Sequence, residues 1–297
     1  MRIRETGVES PSAKAAAMEL ASGAILDFSG PPLVMGIVNC NGDSFFPPSR
    51  ARAGDAVEKA LAAVRDGAKI IDLGAESTRP GAAYISAEEE LERLIPVIEG
   101  FRARSDTALS VDTRKAAVAR ASLDAGADII NDISALEDDP EMASAGAEKK
   151  AAVVLMHKRG DPATMQKNPF YADPASEVRD YLFEAASRAE AAGIERGKII
   201  LDPGIGFGKR LEDNLAILRR LAEICSGDYP VLVGLSRKGF VGALTGRAVE
   251  GRLAGTLAAE AFSVFLGAAI IRVHDVAETV DMVKVLFGLM GPSKKPA

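Results

Sequence analysis

Eight short apolar runs, each stopping at or near a residue that can bind something, are what most constrain this chain. They are Leu33–Val38, Ile70–Leu73, Leu109–Val111, Ile129–Ile130, Ala152–Met156, Ile199–Leu201, Val231–Gly234 and Ala269–Val273. Continuous aliphatic runs of this kind suit parallel strands buried on both faces. The residues met at or just after the runs are Asn39, Arg79, Asp112, Asn131, His157, Asp202, Lys238, and Arg272 with His274. Helix-like sequence separates the runs. Alternation with short connections predicts an α/β fold, and an open doubly wound sheet shares that pattern. A single (β/α)8 TIM barrel explains more, because it gathers all eight strand ends at one mouth, where that fold does its chemistry.

The intervening helices announce themselves by apolar spacing and by closing glycines. Asp55–Gly67 and the run ending at Gly126 both finish on a C-cap glycine, as does the run from Ser176 to Gly193. A helix is also expected around Glu141–Lys149, another over Leu211–Ile224, and two more in Gly251–Gly267 and Glu278–Met290. Residues 1–30 read as an N-terminal extension that caps the barrel floor. Residues 31–290 read as one catalytic domain and 291–297 as a polar tail.

Hydrophobic residues make up 47% and aromatics only 5%, with no Trp, so the core must be aliphatic. A net charge of −6 disfavours nucleic acid or an anionic membrane as partner. An anionic ligand would therefore need a local group of cations. Cys40 and Cys225 stand far apart and form no metal-ligand spacing, which suggests a reduced, cytoplasmic protein. No leader-like apolar stretch is seen near the start. The most apolar segment, Leu253 to Val273, is broken by Glu260 and Arg272.

Two residue sets carry the chemistry. Asp112, Asn131 and Asp202 would face one mouth, where a carboxylate can take two N–H donors of a planar heterocycle and an amide can read a mixed edge. Capping of the following helices is the plainer role for any one of them. Arg79, Arg237, Lys238, Arg272 and His274 form the basic set and suggest a phosphate or pyrophosphate site, with surface ion pairing an equal alternative for Arg237. LDPGIGFGK, Leu201 to Lys209, matches neither dinucleotide nor Walker loops. Its glycines are expected to let backbone approach a flat ligand, with Phe207 offering a face. His157 is expected to be a hydrogen-bonded structural residue, and Asn39 could turn an amide oxygen to Mg2+.

At these residues the chain resembles the dihydropteroate synthase family. MGIVN, DSF, GAESTRPGA, VDT, AGADIINDIS, VVLMHKRG, LDPGIGFGK, VGLSRK and RVHDV match the family's motifs in order, from about Leu33 to about Val285. The resemblance implies displacement of pyrophosphate from 6-hydroxymethyl-7,8-dihydropterin diphosphate by the amine of 4-aminobenzoate, assisted by Mg2+. It implies pterin contacts at Asp112, Asn131, Met156, Asp202 and Lys238. Pyrophosphate contacts fall at Asn39, Thr78, Arg79, Arg272 and His274, with Asn39 the metal contact. The aminobenzoate surroundings are Pro80, Phe207, Lys238 and Gly239. Asp43, Arg79, Lys238, Arg272 and His274 are implicated in catalysis, and a homodimer through the C-terminal helices is implied.

Two departures from the family pattern stand out. Asn41-Gly42 replaces a Thr-Pro pair in the first loop, Asn39 to Arg50, and Gly239 replaces a frequent serine after SRK. Both bear on aminobenzoate and on sulfonamides that mimic it. Two further readings share the pterin set: a methyltransferase using methyltetrahydrofolate, and a pterin-binding paralogue without turnover.

Overall fold

Period-two alternation along the strands sorts their side chains into two cores. The computed structural model describes residues 17–40, 49–76, 84–160 and 164–290, with the backbone alone for 49–52. Ile71, Leu73, Leu109, Val111, Ile130, Val153, Leu155, Leu201, Val233 and Ile271 face an outer layer of helices. Met35, Ile70, Ala108, Ile129, Ala152, Ile200, Leu232 and Ile270 face the barrel axis. Each fully buried aliphatic side chain of this size contributes about 1.5–3 kcal/mol, so a core without Trp is adequate for the fold.

The strands are β1 (Ala17–Glu19), β2 (Ile25–Asp27), β3 (Leu33–Asn39), β4 (Ile70–Gly74), β5 (Ala108–Asp112), β6 (Ile129–Asp132), β7 (Ala152–Met156), β8 (Ile199–Asp202), β9 (Leu232–Gly234) and β10 (Ile270–Val273). From β3 to β10 they are parallel, in the order β8-β7-β6-β5-β4-β3-β10-β9. The remaining seam is bridged by Leu201 pairing with Val231, with the Leu201 N–H donating to Pro230 O at 3.0 Å. The sheet therefore rolls into the expected barrel.

The helices are α1 (Ser49–Arg65), α2 (Ala87–Arg102), α3 (Ala116–Asp124), α4 (Met142–Glu148), α5 (Pro174–Ala191), α6 (Leu211–Arg219), α7 (Leu221–Cys225), α8 (Gly239–Thr245), α9 (Leu253–Phe265) and α10 (Val276–Met290). Local chemistry starts and stops them. Ser86 Oγ accepts from the Glu89 N–H at 3.2 Å at the head of α2, and Asp173 caps α5 ahead of Pro174. Gly67, Gly126 and Gly193 follow α1, α3 and α5 at positive φ.

Two helices differ from expectation. The run Leu211–Ile224 breaks at Arg220, whose guanidinium leaves the helix axis for Asp173, Ser176 and Glu223. The short α8 has no counterpart in the apolar spacing: its seven residues, GFVGALT, contain two glycines and carry little helical signal.

The β1–β2 hairpin closes the end of the barrel where the strands begin. Met18, Leu20 and Leu26 join the axis-facing cluster beneath Met35, Ile70 and Ile129. The buried Asp128 carboxylate fastens it there. It accepts the Ser22 N–H at 3.2 Å and the Leu109 N–H at 2.9 Å, and pairs with Arg102. At the other end the axis-facing positions turn polar. Asp72 follows Ile70, Ser110 and Asp112 follow Ala108, Asn131 follows Ile129, and Arg272 follows Ile270.

Candidate active site

The deepest polar layer is built around Asp72 and Arg272. Arg272, on β10, donates Nε to Asp72 Oδ2 at 2.6 Å and Nη2 to Asp112 Oδ2 at 2.8 Å. Asn131, on β6, donates Nδ2 to the same Asp72 oxygen at 3.1 Å. Burial works against the charge of Arg272. Asp72 and then Asp112 outweigh it, so the guanidinium pKa lies above its ordinary value. Asp112 moves the other way. Its carboxyl is held above the usual carboxylate range by burial, with Arg272 opposing and Asp72 adding to the rise. Gly74 lies beside Asp112 in the register, and a Cβ there would make ordinary contact with Asp112 Cβ at 3.6 Å.

The second side of the mouth comes from β7, β8 and the start of α8. Met156 and Asp202 are register partners, both buried. Asp202 Oδ1 accepts the Gly204 N–H at 2.7 Å. Burial raises the Asp202 pKa, and Lys238 is the main opposing charge. Lys238 caps α8 and donates Nζ to the Ile205 carbonyl. Its ammonium is 5.1 Å from the Phe207 ring centroid. Burial lowers the Lys238 pKa to about 8, against the pull of Asp202. Gly234 lies close to both cations: a Cβ there would be in ordinary contact, 3.8 Å from Lys238 Nζ and 3.9 Å from Arg272 Cβ.

The glycines of LDPGIGFGK serve a different purpose from the expected one. Gly204, Gly206 and Gly208 all have positive φ. A Cβ on Gly204 would meet His157 O at 2.0 Å, and one on Gly208 would meet Arg159 O at 2.2 Å. The close approach is to the neighbouring backbone after β7. Buried Lys209 ties the same turn together, with Nζ at 2.9 Å from Gly204 O, 3.1 Å from Phe207 O and 2.9 Å from His157 Nδ1. Burial, then Lys209 and Arg159, push the His157 pKa down to about 2, so its ring stays neutral and structural.

At the rim, Asn39 is exposed at the end of β3, and His274 follows β10 with Nδ1 at 3.0 Å from Ser236 Oγ. Gly239 opens α8 with nothing within 4 Å of where a Cβ would stand. Arg237 does not join the basic group. Nε and Nη2 each lie 2.8 Å from Asp275, and Nη1 reaches the Val249 and Glu250 carbonyls. Asp43, Thr78, Arg79 and Pro80 lie outside the described residues.

Asp72 does not show itself at a strand end, because it sits inside IIDLG. A carboxylate inside an otherwise apolar five-residue strand is its sequence signal. Lys115 is likewise missing from both residue sets. Its Nζ lies 2.5 Å from Glu76 and 2.7 Å from buried Glu90, and it stands 4.5 Å from the Tyr84 ring centroid. Among the described residues no cluster of three His, Cys, Asp or Glu side chains is placed to hold a metal. A cavity of about 310 Å³ lies at the opposite pole between Pro31, Pro32, Val280 and Lys284, remote from all the groups above.

Residues 35–274 match the family described as pterin binding enzyme. Dihydropteroate synthase of Escherichia coli K12 is 48% identical over 267 residues, spanning 90% of this chain and 94% of the relative. The Xanthomonas albilineans dihydropteroate synthase solved with 4-aminobenzoic acid superposes with a TM-score of 0.87 at 42% identity, covering 94% of this chain and 100% of that one. The same enzyme in complex with 7,8-dihydropteroate gives 0.83 at 40% identity, with coverage of 94% and 100%.

Proposed function

The chain belongs to the pterin-binding enzyme family, and on that premise we propose that it acts as a dihydropteroate synthase. It joins 6-hydroxymethyl-7,8-dihydropterin diphosphate to 4-aminobenzoate, giving 7,8-dihydropteroate and pyrophosphate. One observation carries the reading at the level of chemistry. Acids and cations share a single mouth, with Arg272 bonded to Asp72 and Asp112, and with the Asp202 charge opposing the fall in the Lys238 pKa.

Asp112, Asn131 and Asp202 read the hydrogen-bonding edges of the pterin, and Met156 packs against its ring. Pro80, Phe207, Lys238 and Gly239 serve the aminobenzoate, and Lys238 also meets the pterin. The aromatic amine attacks the methylene carbon while the bond from that carbon to the diphosphate oxygen breaks. Pyrophosphate leaves with the bonding pair, and the amine then gives up its proton. An uncharged aromatic amine needs no strong base, so the task is to bear charge on the departing group. Arg272 and His274 do so together with Thr78 and Arg79, while the Asp43 carboxylate offsets cationic character that develops at the methylene carbon. Asn39 offers a neutral amide oxygen at the rim. That suits Mg2+, which takes few protein oxygens and completes its shell from diphosphate and water. Bound there, the ion would offset charge on the leaving group.

A homodimer is the second part of the proposal. Phe262 and Phe265 on α9, with Val285, Leu289 and Met290 on α10, are exposed apolar side chains on the last two helices. Sedimentation showing a monomer at micromolar concentration would remove it. A cytoplasmic location is supported by a chain with only two, distant cysteines. Among the described residues no helix is long and apolar enough to cross a membrane.

The decisive assay mixes the protein with dihydropterin diphosphate, 4-aminobenzoate and Mg2+ and measures dihydropteroate and pyrophosphate. Equimolar formation of both is expected. Asp202→Ala is expected to lower kcat/KM by about a hundredfold or more, because the site then lacks the carboxylate proposed to take two N–H donors of the pterin at once. Pterin binding without pyrophosphate release would overturn the proposal.

A further inference from the structure

We propose that Asp72 is a positioning residue: it fixes the donor–acceptor polarity of Asn131 and the aim of Arg272, and so decides which pterin edge the site accepts. The inference rests on the pterin reading above. Asp72 is fully buried in the middle of β4, two residues below the end of the strand. Its Oδ2 receives Arg272 Nε at 2.6 Å and Asn131 Nδ2 at 3.1 Å, and Arg272 Nη2 also lies at 2.6 Å. Asp72 Oδ1 is buried and has no partner among the described residues.

The chemistry of a carboxylate makes these contacts directional. Ionised, it accepts and never donates. The Asn131 amide can therefore meet Asp72 only through its NH2 group, which turns its carbonyl oxygen the other way. A buried amide without such a neighbour could present either end. With Asp72 in place, Asn131 offers an acceptor and selects a ligand edge with an N–H. The same oxygen holds two of the guanidinium nitrogens of Arg272, so that plane cannot rotate about its stem. A buried carboxylate is itself unfavourable unless paired, and Arg272 supplies the charge that makes it tenable.

The test uses 6-hydroxymethyl-7,8-dihydropterin, without diphosphate, in calorimetric titrations of the full chain. Asp72→Leu keeps the branched shape and removes the acceptor. It is expected to weaken pterin binding by about tenfold or more, because Asn131 can then present either end and the Arg272 plane is released. Asp72→Asn can turn its carbonyl oxygen to Arg272 and Asn131 where Oδ2 stands, and it is expected to bind within about threefold of wild type. Binding by Asp72→Leu within about twofold of wild type overturns the proposal, as does an Asp72→Asn no better than Asp72→Leu. Should Asp72→Leu yield no folded protein, Asn131→Asp decides: it still offers the ligand an acceptor but sets two carboxylates against each other. Binding weaker by about tenfold or more supports the proposal, and binding within about twofold of wild type overturns it. These titrations need no turnover. A wild-type protein that binds pterin but makes no dihydropteroate therefore defeats the synthase reading and leaves the role of Asp72 to be decided separately.

Discussion

The Lys238 ammonium stands 5.1 Å from the centre of the Phe207 ring, inside the cation–π range, while its proton donation to Ile205 O holds it over the glycine-rich turn. Burial brings its pKa to about 8. The group is charged below that pH and neutral above it. The kcat/KM profile should therefore fall above about pH 8. In Lys238→Arg the falling limb should move beyond about pH 10, whatever the residual activity, because a guanidinium does not lose its proton in that range. An unmoved limb would assign it to another group.

Gly239 opens α8 onto empty space, so a serine side chain fits there without displacing a neighbour. A hydroxyl at that point can meet the carboxylate of aminobenzoate. Gly239→Ser is expected to lower the KM for aminobenzoate by about three- to tenfold and to leave pterin binding unchanged. Sulfonamide inhibition constants should move in parallel. Equal constants in the two proteins would show that position 239 does not see the carboxylate.

The turn after β8 separates two kinds of glycine. At Gly204 an added methyl would lie 2.0 Å from His157 O, and no flexible side chain can give way. At Gly206 the nearest atom is Lys238 Cδ at 3.6 Å, and only the backbone angle of +89° opposes substitution. Gly206→Ala should cost about 1–2 kcal/mol in a urea titration. Gly204→Ala should cost more than twice that or fail to accumulate as folded protein. Similar midpoints for the two would refute the backbone clash.

Glu260, on α9, is buried and accepts from Thr279 Oγ1 on α10 at 3.1 Å. Burial raises its pKa to about 8. The folded state therefore holds this proton more tightly than the unfolded chain does. The stability it allows is complete below the unfolded carboxyl pKa and is lost as pH rises through about 8. Glu260→Gln keeps the hydrogen bond without the charge. Its Tm should equal that of wild type at about pH 5 and exceed it by about 3–6 °C at about pH 9. A constant difference at both pH values would contradict this.

The barrel was legible because each strand's apolar run ends in a group that water or a ligand must satisfy. Asp112, Asn131 and Asp202 could be read from that rule. Asp72 could not, since its strand continues for two residues beyond it and the rule looks only at ends. Alternation supplies the missing step: the chain position two before an axis-facing Gly74 is axis-facing as well. Arg237 stood evenly between the two roles because charge alone does not reveal a partner, and Asp275, which decides for ion pairing, lies 38 residues away in sequence. The glycines after Asp202 were recognisable as a close approach, but what they approach, the backbone at His157 and Arg159, is visible only once β7 and β8 lie side by side.

The β1–β2 hairpin has a kinetic corollary. With Met18, Leu20 and Leu26 wedged into one end, the described residues leave the opposite end as the way in. A guest berthed at the bottom, beside Asp72 and Asn131, is then expected to load before one seated higher up and to be held until that one has gone.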